Sequence, residues 1–503
     1  MKSVKATPGA KRLIESLRNL GYDCSTAIAD LIDNSIAANA SEIHVEINAQ
    51  QGTRPAAIII ADNGRGMDRD RLHEAMRFGA AQEYAADDLG KYGLGLKTAS
   101  LSQCRTLTVS SKAKGARKTR PRRHYARWDI GHVYGTDDWD LLAPVADELE
   151  DWESDGLAHE VASDHGTVVL WTNLEETLGL LFSHNVRERD RFLAKLTNEV
   201  SEHLSMVFHR FMQGSVTGRR RLNIHVSGEK LDPWDPFCRN ERTREIDIAR
   251  FEVNTRAGDG AILPEPVTLT PFVLPREDEF STPGAWKLAS GPTNWNQQQG
   301  FYFYRNNRLL QAGGWSWLRS PDEHTKLLRV AVDFPSGLDR AFAINITKMR
   351  ARIPADIRER VANEVSVWAK TARERYDRRP AGSRTSAHDA SPRFSSAAGA
   401  PAWSEPRRND APPSVSVGPL TFLQTNTPSQ NLTIISGTKP GHVKVLVPHN
   451  HDFAAIFDTS NADSDLRKLC LAALSVLEAV YERRIPPDRI PIAALKKALR
   501  RYL

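Results

Sequence analysis

Three stretches between Ala27 and Ser100 bring together side chains that can serve one chemistry: AIADLIDNSIAANA, IIIADNGRGM and GKYGLGLKTASLSQ. In the first, Asp30 and Asn34 are spaced to share one side of a helix. An asparagine carbonyl suits Mg²⁺, a hard cation that takes oxygen ligands, and Asp30 beside it can orient or activate an attacking water. A polar pair bordering an apolar face is equally what an ordinary surface helix shows. In the second stretch, Asp62 closes an apolar run and leads into Asn63-Gly64-Arg65-Gly66-Met67. A carboxylate there can accept a hydrogen bond from the exocyclic amine of adenine, and Gly64 and Gly66 let the backbone approach the base. Alone, Asp-Asn-Gly is a turn. In the third, Gly90, Gly93 and Gly95 precede an apolar helix. That makes a backbone nest for phosphate oxygens, to which Lys97 and Thr98 can add donors. The spacing is neither the GxxxxGK[ST] phosphate loop nor the dinucleotide fingerprint. Each motif is weak alone; together they describe a nucleotide site.

The elements that must hold these residues follow from periodicity. Leu13, Ile14 and Leu17 predict a helix over Thr7 to Leu20. Ile28, Leu31, Ile32 and Ile36 give an apolar face to a helix from Ser25 or Thr26 to Asn39. Ile43, Val45 and Ile47 alternate with His44, Glu46 and Asn48, the pattern of a half-buried strand. Ala56 to Ala61 reads as a buried strand, Asp68 to Phe78 as a short helix, and Arg105 to Ser111 and HYARWDI as further strands. HGTVVLWTNL is another strand, with Thr167 placed to join the network around Asp62 or the base. Between two of these strands lie Lys112, Lys114, Arg117, Lys118, Arg120, Arg122 and Arg123. This basic loop, 112–123, is either a solvated hairpin loop or a finger for DNA phosphates.

The 503 residues suggest about three domains. A formal charge of +6 permits a nucleic-acid partner without requiring one. The four cysteines are scattered and form no CxxC pair, which argues against a disulfide scaffold or zinc knuckle. The N-terminus lacks an apolar signal core, and no apolar run is long enough to span a bilayer. The expectation is a cytoplasmic protein with no membrane contact.

The motifs resemble those of the GHKL ATPase superfamily, which includes DNA gyrase, the ninety-kilodalton heat-shock chaperones, sensor histidine kinases and MutL. Asp30 falls where most hydrolysing members carry a glutamate general base, one methylene longer. Asn34 matches the magnesium ligand. Asp62 to Met67 matches the adenine motif, Gly90 to Ser100 the glycine-rich lid with Leu94 and Leu96, and Gly166-Thr167 the last nucleotide motif. The resemblance covers the first third of the chain. It implies ATP and Mg²⁺ as cofactors, an α/β sandwich with ATP under a lid, and an ATP-dependent homodimer.

The expected fold class is α+β. A GHKL-type ATP-binding domain spans 1–175 and a transducer-like α/β domain 176–376. A disordered linker covers 377–419, and a small C-terminal α/β module for partner docking or dimerisation covers 420–503. In the second domain, Arg187 to His209 is a long helix and Phe211 to Gly218 a turn. Arg221 to Val226, Ile246 to Val253, Val267 to Val273 and Leu327 to Asp333 are strands, and Gly284 to Gly300 is a loop. GFYFYRNNRLL reads as a hairpin turning at Asn306-Asn307, and Ala355 to Arg375 as a helix. The resemblance implies that Lys348 reaches the γ-phosphate from this domain, with Asn345 and Arg350 as secondary candidates. VSGEKLDPWDPF and FYRNNRLL look like the MORC-type and chaperone-like branch. In the C-terminal module, strands over 432–435 and 443–447 precede helices over 465–483 and 492–503. His449, His451 and Asp452 are a weak metal candidate there. Three functions compete: a clamp-like Mg²⁺-dependent ATPase acting on DNA, in defence or repair; a chaperone-like protein-remodelling ATPase; and a slow nucleotide-gated scaffold.

Overall fold

Alternating burial along Glu42–Asn48 (β1) gives the first sheet one face for packing and one that is half-exposed. Its strands are β1, β2 (Ala57–Asp62), β3 (Cys104–Lys112), β4 (Arg123–Asp129), β5 (Gly166–Leu174), β6 (Asn223–Val226) and β7 (Glu229–Lys230), in the order β4-β3-β5-β2-β1-β6-β7. Neighbours are antiparallel except β1 and β6, which run parallel. The computed structural model describes residues 8–19, 21–79, 95–115, 122–175, 178–179, 181, 183–256, 262–344, 351–378, 414–417, 420–425, 433–436 and 443–448. The chain forms two compact units, residues 1–385 and 386–503.

The helices among the described residues are α1 (Ala10–Arg18), α2 (Cys24–Ala37), α3 (Arg69–Met76), α4 (Gly95–Leu101), α5 (Ile130–Thr136), α6 (Asp151–Leu157), α7 (Val186–Val207), α8 (His209–Gln213), α9 (Pro283–Ala289), α10 (Trp295–Gln298) and α11 (Arg358–Asp377). One sheet face packs on Ile28 and Ile32 of α2, Ala99 and Leu101 of α4, and Leu196, Val200 and Leu204 of α7. Asp23 caps α2 by accepting from Thr26 N at 2.7 Å, worth about 1 kcal/mol. The acidic stretch after Asp137 covers part of the other face, where Leu149, Leu157 and Ala162 pack on Ala57, Ile59 and Leu170.

A second sheet comprises β8 (Arg244–Glu245), β9 (Ala249–Arg256), β10 (Ile262–Val273), β11 (Gly300–Arg305), β12 (Arg308–Ala312) and β13 (Leu328–Phe334). The order is β12-β11-β13-β10-β8, with β9 also on β10. All six residues of β11 are buried, and Val361, Val365, Trp368 and Ala372 of α11 pack into the same core. Asn306 and Asn307 have φ +48° and +68°, the left-handed pair that a tight hairpin requires. In the C-terminal unit, β14 (Ser414–Val417), β15 (Leu420–Thr425), β16 (Thr433–Ser436) and β17 (Val443–Pro448) form a sheet ordered β14-β15-β17-β16.

This is the mixed α/β architecture expected, with four local differences. The first sheet takes β6 and β7 from beyond residue 175, because the alternation in NIHV specifies a strand but not its sheet. Gly284 to Gly300 contains α9 and α10, since Thr282 accepts from Ala285 N and Asn294 from Gln297 N as helix caps. The expected turn after Phe211 begins as α8. Ser414–Val417, expected within a disordered linker, pairs with β15. The C-terminal helices, the histidines at 449 and 451, and Asp452 lie outside the described residues. No helix among the described residues is long and apolar enough to cross a membrane.

Candidate active site

Asp62 is the last residue of β2, the central strand of the sheet, opposite Thr167 at the start of β5. The carboxylate is buried. Ser35 of α2 donates to Asp62 Oδ2 at 2.8 Å, and Gly64 N donates to Oδ1 at 2.8 Å. Burial pushes its pKa up, against the lowering effect of those two hydrogen bonds and of a third from the Thr167 backbone. An ionised carboxylate offers about four acceptor positions, so the donors Ser35, Gly64 and Thr167 leave room for a ligand amine.

Close backbone contact explains the glycines beside it. At Gly66, φ is +62° and a Cβ would lie 1.9 Å from Lys112 O. A Cβ on Gly64 would lie 2.8 Å from Asp62 Oδ1. Ser111 Oγ lies 2.9 Å from Thr167 Oγ1 and accepts from Met67 N at 2.9 Å, tying β3, β5 and the glycine loop together. His165 Nδ1 bonds Gly64 O at 2.6 Å.

Asp30 and Asn34 have different surroundings on α2. Asp30 is 3% exposed, and Asn34 is exposed although Asp33, Ser35 and Ile36 around it are buried. Tyr22 donates to Asp30 Oδ2 at 2.9 Å; burial first, and the Asp30 charge second, push the Tyr22 phenol well up. From the second sheet, Arg308 Nε donates to Asp33 Oδ1 at 2.9 Å and Nη2 to Asp30 Oδ1 at 3.4 Å. A Cβ on Gly95 would lie 3.9 Å from Asp30 Oδ2, so α4 begins beside this carboxylate.

Two of the expected phosphate donors are buried. Lys97 is 2% exposed and donates to Ala75 O at 2.8 Å; burial pulls its pKa down to about 8. Thr98 is 1% exposed and bonds Tyr22. Lys97 to Leu101 are all buried, so α4 is enclosed on every side from Lys97 onward, which the motif does not specify. Leu96 packs against the core, as does Met67. Gly90, Gly93, Leu94, Asn345, Lys348 and Arg350 lie outside the described residues.

Residues 22–167 match the family described as "Histidine kinase-, DNA gyrase B-, and HSP90-like ATPase". This segment is a GHKL ATPase domain. Protein MICRORCHIDIA 5 of Arabidopsis thaliana is 25% identical over 239 residues, covering 46% of this chain and 32% of that protein. Protein MICRORCHIDIA 4 of the same plant is 26% identical over 172 residues, 32% of this chain and 22% of that protein. The chain thus spans about a third or less of the curated relatives it matches. The crystal structure of the N-terminal domain of a DNA repair protein aligns with a TM-score of 0.37 and 14% identity, covering 73% of this chain and 96% of that one.

The GHKL domain contains four groups that the motifs did not single out: Tyr22, Ser35, Ser111 and His165. Ser35 adjoins Asn34 in sequence, but nothing in DNSI says that its hydroxyl faces Asp62. Arg308 reaches the domain from the second sheet. Its position after Asn306-Asn307 was readable as a hairpin, and its partner was not.

The basic loop differs in part from the expected finger. Lys112 donates to Ser163 O at 2.7 Å, and Arg123 donates to Leu157 O at 3.1 Å and Ala162 O at 2.7 Å. Those two cations bind the chain's own carbonyls. Lys114 and Arg122 are exposed, and residues 116–121 lie outside the described set.

Proposed function

We propose that the GHKL domain binds ATP with Mg²⁺ and that the first unit hydrolyses it to ADP and phosphate. The observation that carries this reading is the buried Asp62 carboxylate, held by Ser35 and Gly64 at the end of β2, beside the helix that bears Asp30 and Asn34. Asp62 accepts the adenine amine. Gly64 and Gly66 keep the backbone flat against the base. The exposed carboxamide of Asn34 fits a hard cation and would hold Mg²⁺, which when bound neutralises phosphate charge. Asp30 takes a proton from the attacking water. Gly90 to Gly95 supply the phosphate nest, and Lys348 senses the γ-phosphate.

In this reading nucleotide binding closes a homodimeric clamp, and DNA is the substrate it encloses. The exposed Lys114 and Arg122 at the mouth of the basic loop support DNA contact through phosphates. A slow nucleotide-gated scaffold, or a chaperone-like remodeller, is the second reading. The engagement of Asp30 by Arg308 and Tyr22 favours the scaffold, because a base already holding two donors is less ready to take a proton. The deciding experiment measures ATP turnover with and without Mg²⁺ and DNA, alongside oligomeric state. Mg²⁺-dependent turnover that rises with DNA supports the clamp. Nucleotide-dependent dimerisation without turnover supports the scaffold, and no ATP binding at all rejects both.

A further inference from the structure

The face of β1 opposite the nucleotide site carries a cluster that ATP chemistry does not use. Ile43 and Val45 point into the core against α2. Glu42, His44 and Glu46 therefore point the other way, because alternate side chains on a strand take opposite faces. The parallel partner β6 places His225 beside His44 and Asn223 beside Glu42. The His44 and His225 rings stack at 4.5 Å. His225 Nε2 lies 2.8 Å from Glu42 Oε1, while Asn223 donates to the other carboxylate oxygen at 3.1 Å. Ligand atoms of Glu42, His44 and His225 all lie within 4.8 Å of one another, and all three residues are half-buried.

We infer that Glu42, His44 and His225 form a site for a first-row transition-metal dication, Zn²⁺ in the first instance. Two imidazoles and one carboxylate are a donor set that prefers such metals over Mg²⁺, and three protein ligands leave a fourth position for water. Zinc bonds of about 2.0–2.1 Å need ligand atoms about 3.3 Å apart, so the two imidazoles, now stacked 19° from parallel, must turn to aim at a common centre. The backbone already supplies the frame: two ligands come from alternate positions of one strand and the third from its neighbour. Asn223 orients the carboxylate, the outer-shell role that metal ligands usually require. His159 packs edge-on to His44 at 5.2 Å, but its Nε2 is paired with Glu46 Oε1 at 3.1 Å, which leaves it as the flank of the site. Occupancy ties β6 to β1 and so fastens the chain beyond α7 to the ATPase sheet.

The test uses the untagged full chain, stripped with EDTA and titrated with Co²⁺, then Zn²⁺. The expected result is one Co²⁺ per chain with the intense visible absorption of a four-coordinate centre. Zn²⁺ displaces it, millimolar Mg²⁺ does not, and the thermal midpoint rises with Zn²⁺. His44→Ala and His225→Ala each weaken binding at least about tenfold, whereas His449→Ala/His451→Ala leaves it intact. A wild-type chain without that absorption overturns the assignment, as does binding that survives the His44→Ala/His225→Ala double variant or disappears with the 449/451 pair. If the double variant fails to fold, diethyl pyrocarbonate labelling of the wild type decides. Zn²⁺ must protect His44 and His225 from modification, and unprotected labelling overturns the site.

Discussion

Arg308 Nε donates to Asp33 Oδ1 at 2.9 Å, joining the second sheet to the helix that carries the candidate general base. The same guanidinium reaches Asp30 at 3.4 Å, and all three side chains are at most 3% exposed. A buried ion pair is costly to half-remove, because the partner charge loses compensation in a low-dielectric setting. Arg308→Ala is therefore expected to destabilise the first unit by about 3–5 kcal/mol. Arg308→Lys, which keeps the charge but not the planar fork, should fall between it and the wild type. Denaturant unfolding measures both. A loss no larger than that of an exposed arginine would show that the bridge does not hold the two sheets together.

Asp30→Asn keeps the side-chain volume and one acceptor oxygen for Arg308, with its amide able to donate to the Tyr22 hydroxyl, while removing the base. Turnover should fall about 10²–10⁴-fold with ATP affinity retained. Equal losses in binding and turnover would reassign Asp30 to architecture. Asn34→Ala is the companion variant: magnesium should cease to strengthen nucleotide binding, and an unchanged magnesium dependence would remove Asn34 from the ligand set.

Asp62→Asn replaces an acceptor-only group by one that also carries donors. Losing a charge-assisted bond to the adenine amine should weaken ATP binding about 10–100-fold. Ser35→Ala, which removes only the group that orients Asp62, should cost less. Equilibrium titration with a fluorescent ATP analogue ranks the two, and the reverse order would put adenine elsewhere.

At Gly66 a side chain meets both a left-handed φ of +62° and a carbonyl oxygen 1.9 Å from the Cβ position. Gly66→Ala should lower stability by about 1–3 kcal/mol and impair nucleotide binding with it. Gly52, also left-handed at φ +58° but with open space at its Cβ, is the control. Alanine there should cost less, and equal costs would trace the effect to backbone strain alone.

His209 is fully buried, with its Nε2 2.8 Å from the Tyr304 hydroxyl. Burial pulls its pKa down to about 3, partly opposed by Asp235 and reinforced by Arg210 and Arg239. The unfolded chain takes up this proton near the ordinary value of about 6.5, before the folded chain does. Stability is then complete above about pH 6.5 and declines as pH falls toward 3. His209→Gln should flatten that decline in unfolding experiments across pH 4–7. A slope unchanged from wild type would assign the acid sensitivity to other groups.

The helix bearing Asp30, the strand closing on Asp62, the glycine turn after it and the Asn306-Asn307 hairpin were all readable in the amino-acid order. Each depends on neighbours within a few positions: apolar periodicity, or residues that tolerate positive φ. The partnerships were not readable. Arg308 and Asp33 are 275 residues apart, and neither carries a local mark of the other. The same holds for Ser35 with Asp62, and for His44 with His225. The burial of Lys97 and Thr98 depends on how α4 packs against α2 and the sheet. Such pairings are set by strand order and by the packing of whole faces. Those energies sum over many residues far apart in the chain, so they exist only once the sheets have formed.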